Sequence, residues 1–242
     1  DFISHDLGIS AKNLRNDRQR PNDILDRINK DEFTERLKNL LEIKNKSEQG
    51  VTLTDIHRKE IREYLDLLDL TYDIPIHTIP VSNDIAKRAV FTQPGMRYAQ
   101  AKNLVQSLLY DETFQSIAAT DRAEITERIL DEIKGRMMED IVLLETKMAN
   151  AEREVFKLQF AVGEFDMVVA DNQSLTVQVY EIKHSDKVVK EQYRHLIDKE
   201  KLAETEFRYG KIIKRAVIYR GENTTTDDGI DYINVEDYLK SL

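Results

Sequence analysis

The stretch Gly163–Lys183, G-E-F-D-M-V-V-A-D-N-Q-S-L-T-V-Q-V-Y-E-I-K, limits what this chain can fold into more than any other. Two apolar, β-branched runs, 164–170 and 175–183, flank the polar tetrapeptide Asp171-Asn172-Gln173-Ser174. That pattern predicts two antiparallel strands and a turn. Symmetric closure on the turn sets Ala170 against Leu175 and Asp166 against Val179. Because side chains alternate with period two, Asp166, Val179, Glu181 and Lys183 then share one face. Asp166 and Glu181 become diagonal neighbours about 7–8 Å apart at Cα, within reach of one metal ion. Lys183 follows two residues along the same edge. Asp166 sits among Phe165, Met167, Val168 and Val169, so its charge needs a partner there. A metal ion or a salt bridge to Lys183 would serve.

Everything before Gly135 reads as helical except one extended piece. His5–Leu14 resembles a helix-turn-helix with Ser10 as N-cap; a plain helical hairpin is the alternative. Lys12, Arg15, Arg18, Arg20 and Arg27 follow around Pro21, interleaved with acids. A helix over 31–49 turns Phe33, Leu37, Leu40 and Leu41 to one side. The next starts at Thr54 or Asp55 and buries Ile56, Ile61, Tyr64, Leu65, Leu67 and Leu68. Residues 71–81 are extended. Phe91–Tyr98 is a turn around Pro94-Gly95, and Gly135 marks a break before a helix over 136–150. After it come a strand over 155–161, the hairpin, a charged helix over about 186–206, and a strand over 212–219. Asn234 caps a closing helix. The expected fold class is α+β in three parts. Residues 1–75 are helical and winged-helix or helix-turn-helix-like, 76–134 are a helical linking region, and 135–242 form an α-β-β-β-α-β core with a terminal β-α addition.

Composition narrows the functional classes. Cysteine is absent from the 242 residues, which excludes disulfides and cysteine zinc sites and suits a cytoplasmic protein. No apolar run approaches a membrane span, so no membrane partner is expected. The chain begins at Asp1, which fits a fragment or a processed product. The net charge of −9 argues against a protein whose main task is gripping nucleic acid. Contact with DNA would have to come from local patches.

Asp166, Glu181 and Lys183 on an α-β-β-β-α-β core resemble the PD-(D/E)XK phosphodiesterase superfamily, with Phe165 where its signature has Pro. The resemblance implies a Mg²⁺ or Mn²⁺ cofactor held by Asp166, Glu181, the carbonyl of Ile182 and a helix acid, Glu139, with Glu145 as the alternative. Hard cations of this kind prefer such oxygen donors. Lys183 would orient the attacking water. His184, Ser185 and Gln192 are the expected substrate contacts. His57, His77 and His195 lack metal-ligand spacing and receive no role. Gly135–Glu145, Val155–Val168 and Tyr180–Leu196 are further similar to the C-terminal region of a prokaryotic AAA-type ATPase family. In that family an ATP-binding module comes first, then a helical or winged-helix segment, then a PD-(D/E)XK-like tail. No G-x-x-x-x-G-K-[ST] loop occurs in this sequence, so ATP would enter only through an upstream module that lies outside it. The implied partners are that ATPase module and DNA, with self-association as a further contact.

Three functions compete. One is a metal-dependent nuclease acting on DNA through Asp166, Glu181 and Lys183. Another is a catalytically inactive nuclease-fold domain that regulates the ATPase or binds a protein, which the acidic charge favours. The third is a helix-turn-helix DNA binder that depends on Lys12 and Arg15.

Overall fold

A computed structural model describes residues 54–82, 86–110 and 112–242. The helix-turn-helix reading at His5–Leu14, the basic segment after it and the helix over 31–49 lie outside the described residues. Those residues show an α+β protein that divides into two compact units: 54–67 with Gln93–Met137, and Leu68–Thr92 with Met138–Leu242.

The first unit is helical: α1 (Asp55–Leu67), α2 (Gly95–Leu108), α3 (Glu112–Gln115) and the first part of α4 (Ala119–Ala149). Pro94-Gly95 starts α2 as expected, with the amides of Met96 and Arg97 bonded back to the carbonyls of Gln93 and Pro94. Ala101, Val105, Phe114, Ile125, Ile129 and Ile133 are buried. Helix α1 departs from the sequence reading. Its apolar stripe forms, yet Ile56, Ile61, Tyr64, Leu67 and Leu68 stay exposed. Helical period alone says which side is apolar, not what covers it.

Helix α4 also runs unbroken through Gly135. An interior glycine costs about 1 kcal/mol relative to alanine. Burial of Ile133 and Met138 on either side outweighs that local preference.

The second unit is built on one mixed eight-stranded sheet. Its strands are β1 (Thr71–Ile79), β2 (Ala86–Phe91), β3 (Glu154–Phe160), β4 (Glu164–Asp171), β5 (Thr176–Ile182), β6 (Lys211–Tyr219), β7 (Thr224–Thr225) and β8 (Asp231–Asn234). They lie in the order β2-β1-β3-β4-β5-β6-β8-β7. Strands β1/β3, β5/β6 and β6/β8 are parallel and the other neighbours antiparallel. Residues 71–79 are extended as read, but 86–91 (A-K-R-A-V-F), read as helical, form an edge strand. Ala, Lys and Arg favour helices intrinsically, and pairing with β1 overrides that preference. The domain boundary expected at 134/135 therefore moves, since 68–92 belongs with the sheet.

Two apolar layers sandwich the sheet. One face packs Val155, Met167, Val169, Tyr180, Ile182 and Ile218 against Met138, Val142, Leu143 and Leu144 of α4 and Tyr238 of α6 (Val235–Lys240). The other packs Phe156, Phe165, Val168, Val179 and Val217 against Tyr193 and Leu196 of a 3-10 helix (Lys190–Ile197), with α5 (Lys199–Tyr209) behind. The single charged helix expected over 186–206 is thus two, split at Asp198. That carboxylate caps α5 by accepting from the amides of Glu200 and Lys201. Asn234 caps α6 in the same way, as read from the sequence.

Candidate active site

The β4–β5 hairpin carries the site, and its register differs from symmetric closure by two residues. Ala170 pairs with Val177 and Asp171 with Thr176, leaving a four-residue loop. Three hydrogen bonds set this. Asp171 Oδ1 accepts the amides of Gln173 and Ser174 at 2.9 and 3.0 Å, tightening the turn. Leu175, at φ 52°, turns its carbonyl to the amide of Lys211 at the start of β6 instead of pairing with Ala170. A two-residue shift preserves the faces. One step beyond the Met167–Tyr180 pair, Asp166 stands level with Glu181 rather than with Val179.

Strand β4 bulges at the same place. Phe156 pairs with Val168 and Leu158 with Phe165, so Lys157 alone stands opposite Asp166 and Met167. Such a bulge re-aims a side chain. Asp166 Oδ2 accepts from the amide of Ile182 at 2.8 Å and from Lys183 Nζ at 2.6 Å. Lys183 Nζ also donates to Glu181 Oε2 at 2.6 Å. The Lys183 amide bonds to the carbonyl of Ile218, fixing the backbone where β5 ends. The two acids are nearly dry, Asp166 8% and Glu181 3% exposed, while the Lys183 side chain is 31% exposed. Glu181 Oε1 is buried without a hydrogen-bond partner.

Burial pushes both carboxyls up, but their neighbours separate them. At Asp166 the ammonium groups of Lys183 and Lys157 and the Ile182 amide outweigh burial and hold it below the ordinary aspartate value. At Glu181 burial and the adjacent Asp166 charge win over Lys183, leaving its carboxyl well above the usual range. Lys183 is driven up by the two acids despite burial. One carboxylate, one retained proton and one ammonium therefore share the corner.

A second charged cluster adjoins the first. Lys157, 4% exposed, donates to Glu139 Oε1 at 2.6 Å and to Glu164 Oε1 at 2.9 Å. Arg88 of β2 donates to Glu139 Oε1 and Asp140 Oδ1 at 2.8 and 2.6 Å. Glu139, the helix acid of the sequence reading, is thus held by Arg88 and Lys157, and the latter also acts on Asp166. Glu145 is exposed. Ile182 gives its amide to Asp166. His184 contacts Arg220 at 3.3 Å, and Ser185 Oγ accepts the Lys187 amide. Gln192 Oε1 accepts from the Tyr232 hydroxyl at 3.1 Å.

Sequence reasoning missed Lys157 and His195. Lys157 had one visible signal, a cation inside the apolar run V-F-K-L-Q-F. His195 had none, because its neighbours Gly163 and Lys201 meet it only in the fold. Among the described residues no group of three His, Cys, Asp or Glu side chains is arranged to hold a metal ion. No helix among them is long and apolar enough to cross a membrane. Compared with family models, curated proteins and solved structures, the chain matches none.

Proposed function

We propose that the sheet-bearing unit is a divalent-cation-dependent phosphodiesterase of the PD-(D/E)XK type that acts on DNA, carried behind an AAA-type ATPase module. The observation that supports it is the convergence of Asp166, Glu181 and Lys183 at one end of β4 and β5, with Glu181 Oε1 buried and unpaired. A helix, three antiparallel-linked strands, a helical crossover and a parallel strand surround that corner in the same order as the resemblance implies.

The donor set fits Mg²⁺ or Mn²⁺. It offers carboxylate oxygens, and an orphaned buried acceptor calls for a cation or a donor. Asp166 and Glu181 would hold the ion, with the Ile182 carbonyl as the backbone donor. Such an ion lowers the pKa of a water and offsets charge developing on a phosphate. Glu181 would give up its proton when the ion enters. Lys157 and the Ile182 amide keep Asp166 ionised for it. Lys183, freed from its bridge, would orient the attacking water.

One observation favours a second reading. The Lys183 ammonium already spans both carboxyl groups at 2.6 Å, which closes the corner without a metal. In that case the domain regulates the ATPase or binds a protein without chemistry. The test is incubation of the full chain with plasmid and linear DNA in Mg²⁺ or Mn²⁺. Cleavage that stops with EDTA and falls about a hundredfold or more in Asp166→Asn and Lys183→Ala supports the nuclease. Intact DNA, together with no Mn²⁺ binding by calorimetry, would leave the second reading.

A further inference from the structure

Two cationic side chains, Arg194 and Lys201, press on one imidazole, and the charge of Lys183 also acts on it. His195, on the 3-10 helix, lies against Gly163, where an added Cβ would stand 2.5 Å from its ring. Lys201 Nζ is 2.6 Å from His195 Nδ1, and Arg194 Nε is 3.3 Å from Nε2. Both contacts present N–H donors, yet a neutral imidazole has a single lone pair to offer. One of the two donors is therefore unmatched by the ring. Protonating the ring would satisfy neither contact, because it would then face two cations with two N–H groups of its own. Burial, Lys201, Arg194 and Lys183 all act to hold it neutral.

The charge balance points the same way. Lys183 is matched by Asp166 and Glu181. Lys201 meets one carboxylate, Asp198, 3.6 Å from its Nζ and already capping α5, and Arg194 forms no ion pair among the described residues. The Lys201 side chain is only 12% exposed and lies over the Phe160 ring at 5.5 Å, so water does little to screen it. A surplus of donors and charge, partly buried at Lys201 and exposed at Arg194, is what an anion arriving from solvent matches.

We propose that Arg194, His195 and Lys201 form a subsite that takes a phosphate oxygen of a nucleic-acid backbone. The anion would accept the N–H that the imidazole leaves unmatched. Its assignment to DNA rests on the nuclease reading above; its preference for phosphate does not. The subsite also reconciles a net charge of −9 with a DNA substrate, since the cations are concentrated where the strand would lie.

The full chain carrying Glu181→Gln, labelled with ¹⁵N in its histidine rings, is titrated with inorganic phosphate and separately with a short DNA duplex. The His195 ring nitrogens shift with both. Arg194→Ala and Lys201→Ala each weaken duplex affinity by about tenfold, and each lowers the slope of log affinity against log salt by about one phosphate contact. Arg194 is exposed, so that variant keeps the test valid if Lys201→Ala unfolds. Ring nitrogens that move with neither probe overturn the subsite. A shift with phosphate but not with DNA overturns the backbone as its ligand. If wild type never cuts DNA and phosphate still moves His195, the nuclease reading fails and the anion site stands. If wild type cuts DNA while His195 and duplex affinity stay unchanged, the reverse holds.

Discussion

Glu181 sits with one oxygen on Lys183 and the other on nothing, while Asp166 beside it accepts two donors on Oδ2. The two acids therefore respond to pH in opposite senses. Glu181 has a folded pKa raised above 4.5, so its contribution to stability is present below that value and is lost as pH rises through the folded pKa. Asp166 has a folded pKa lowered below 3.8, so its contribution is present above that value and is lost as pH falls through the folded pKa. Urea denaturation across the acid-to-neutral range should show Glu181→Gln gaining on wild type as pH climbs past 4.5. A difference that stays constant with pH would contradict the assignment. Two glycines differ in what an added side chain would meet. At Gly163, φ 83°, an added Cβ meets the movable His195 ring; at Gly210, φ 104°, it would stand 2.0 Å from the backbone carbonyl oxygen of Leu175. Gly210→Ala should thus lower the thermal midpoint clearly more than Gly163→Ala, which costs about 1 kcal/mol or more from its backbone conformation alone. Glu181 and Lys183 were legible in the sequence because an E-I-K run at a strand end fixes their face by period two. His195 was not, since nothing in Q-Y-R-H-L announces the glycine it covers.

The decisive element is the irregular middle of β4. A regular strand would pair Lys157 with one residue; the bulge sets it opposite both Asp166 and Met167. Periodicity cannot reveal this, because an unpaired residue leaves the apolar run F-D-M-V-V-A unchanged. The turn misled for a similar reason. Its polar residues were legible, but Leu175 looked like strand and is instead taken up by Lys211. Strand β2 was hidden by its helix-favouring residues, and the break at Asp198 by an otherwise continuous charged pattern. What the bulge builds can be tested. Lys157 is buried between Glu139 and Glu164, so Lys157→Met removes the cation that bridges those two carboxylates, while Arg88 still holds Glu139. The loss should be about 3 kcal/mol by chemical denaturation. Combined with Glu139→Gln it should be less than additive, since both changes break one network. Additive losses would show that Lys157 and Glu139 act independently.

For the whole molecule, the sheet draws its strands from two separated stretches, 68–92 and 138–242, around a hairpin that the sequence placed correctly in outline. The three-part division read from the sequence missed this, because a strand arriving from 60 or more residues upstream leaves no local mark; β1 lies parallel to β3 with Ile76 beside Lys157. Whether the corner where the hairpin ends binds a cation can be read from crystals of the full chain soaked in Mn²⁺ and measured at the manganese absorption edge. One anomalous peak bonded to Asp166 and Glu181 is expected, with the Lys183 ammonium moved off the bridge. An empty map, with Lys183 still spanning both carboxyl groups, would rule the metal site out.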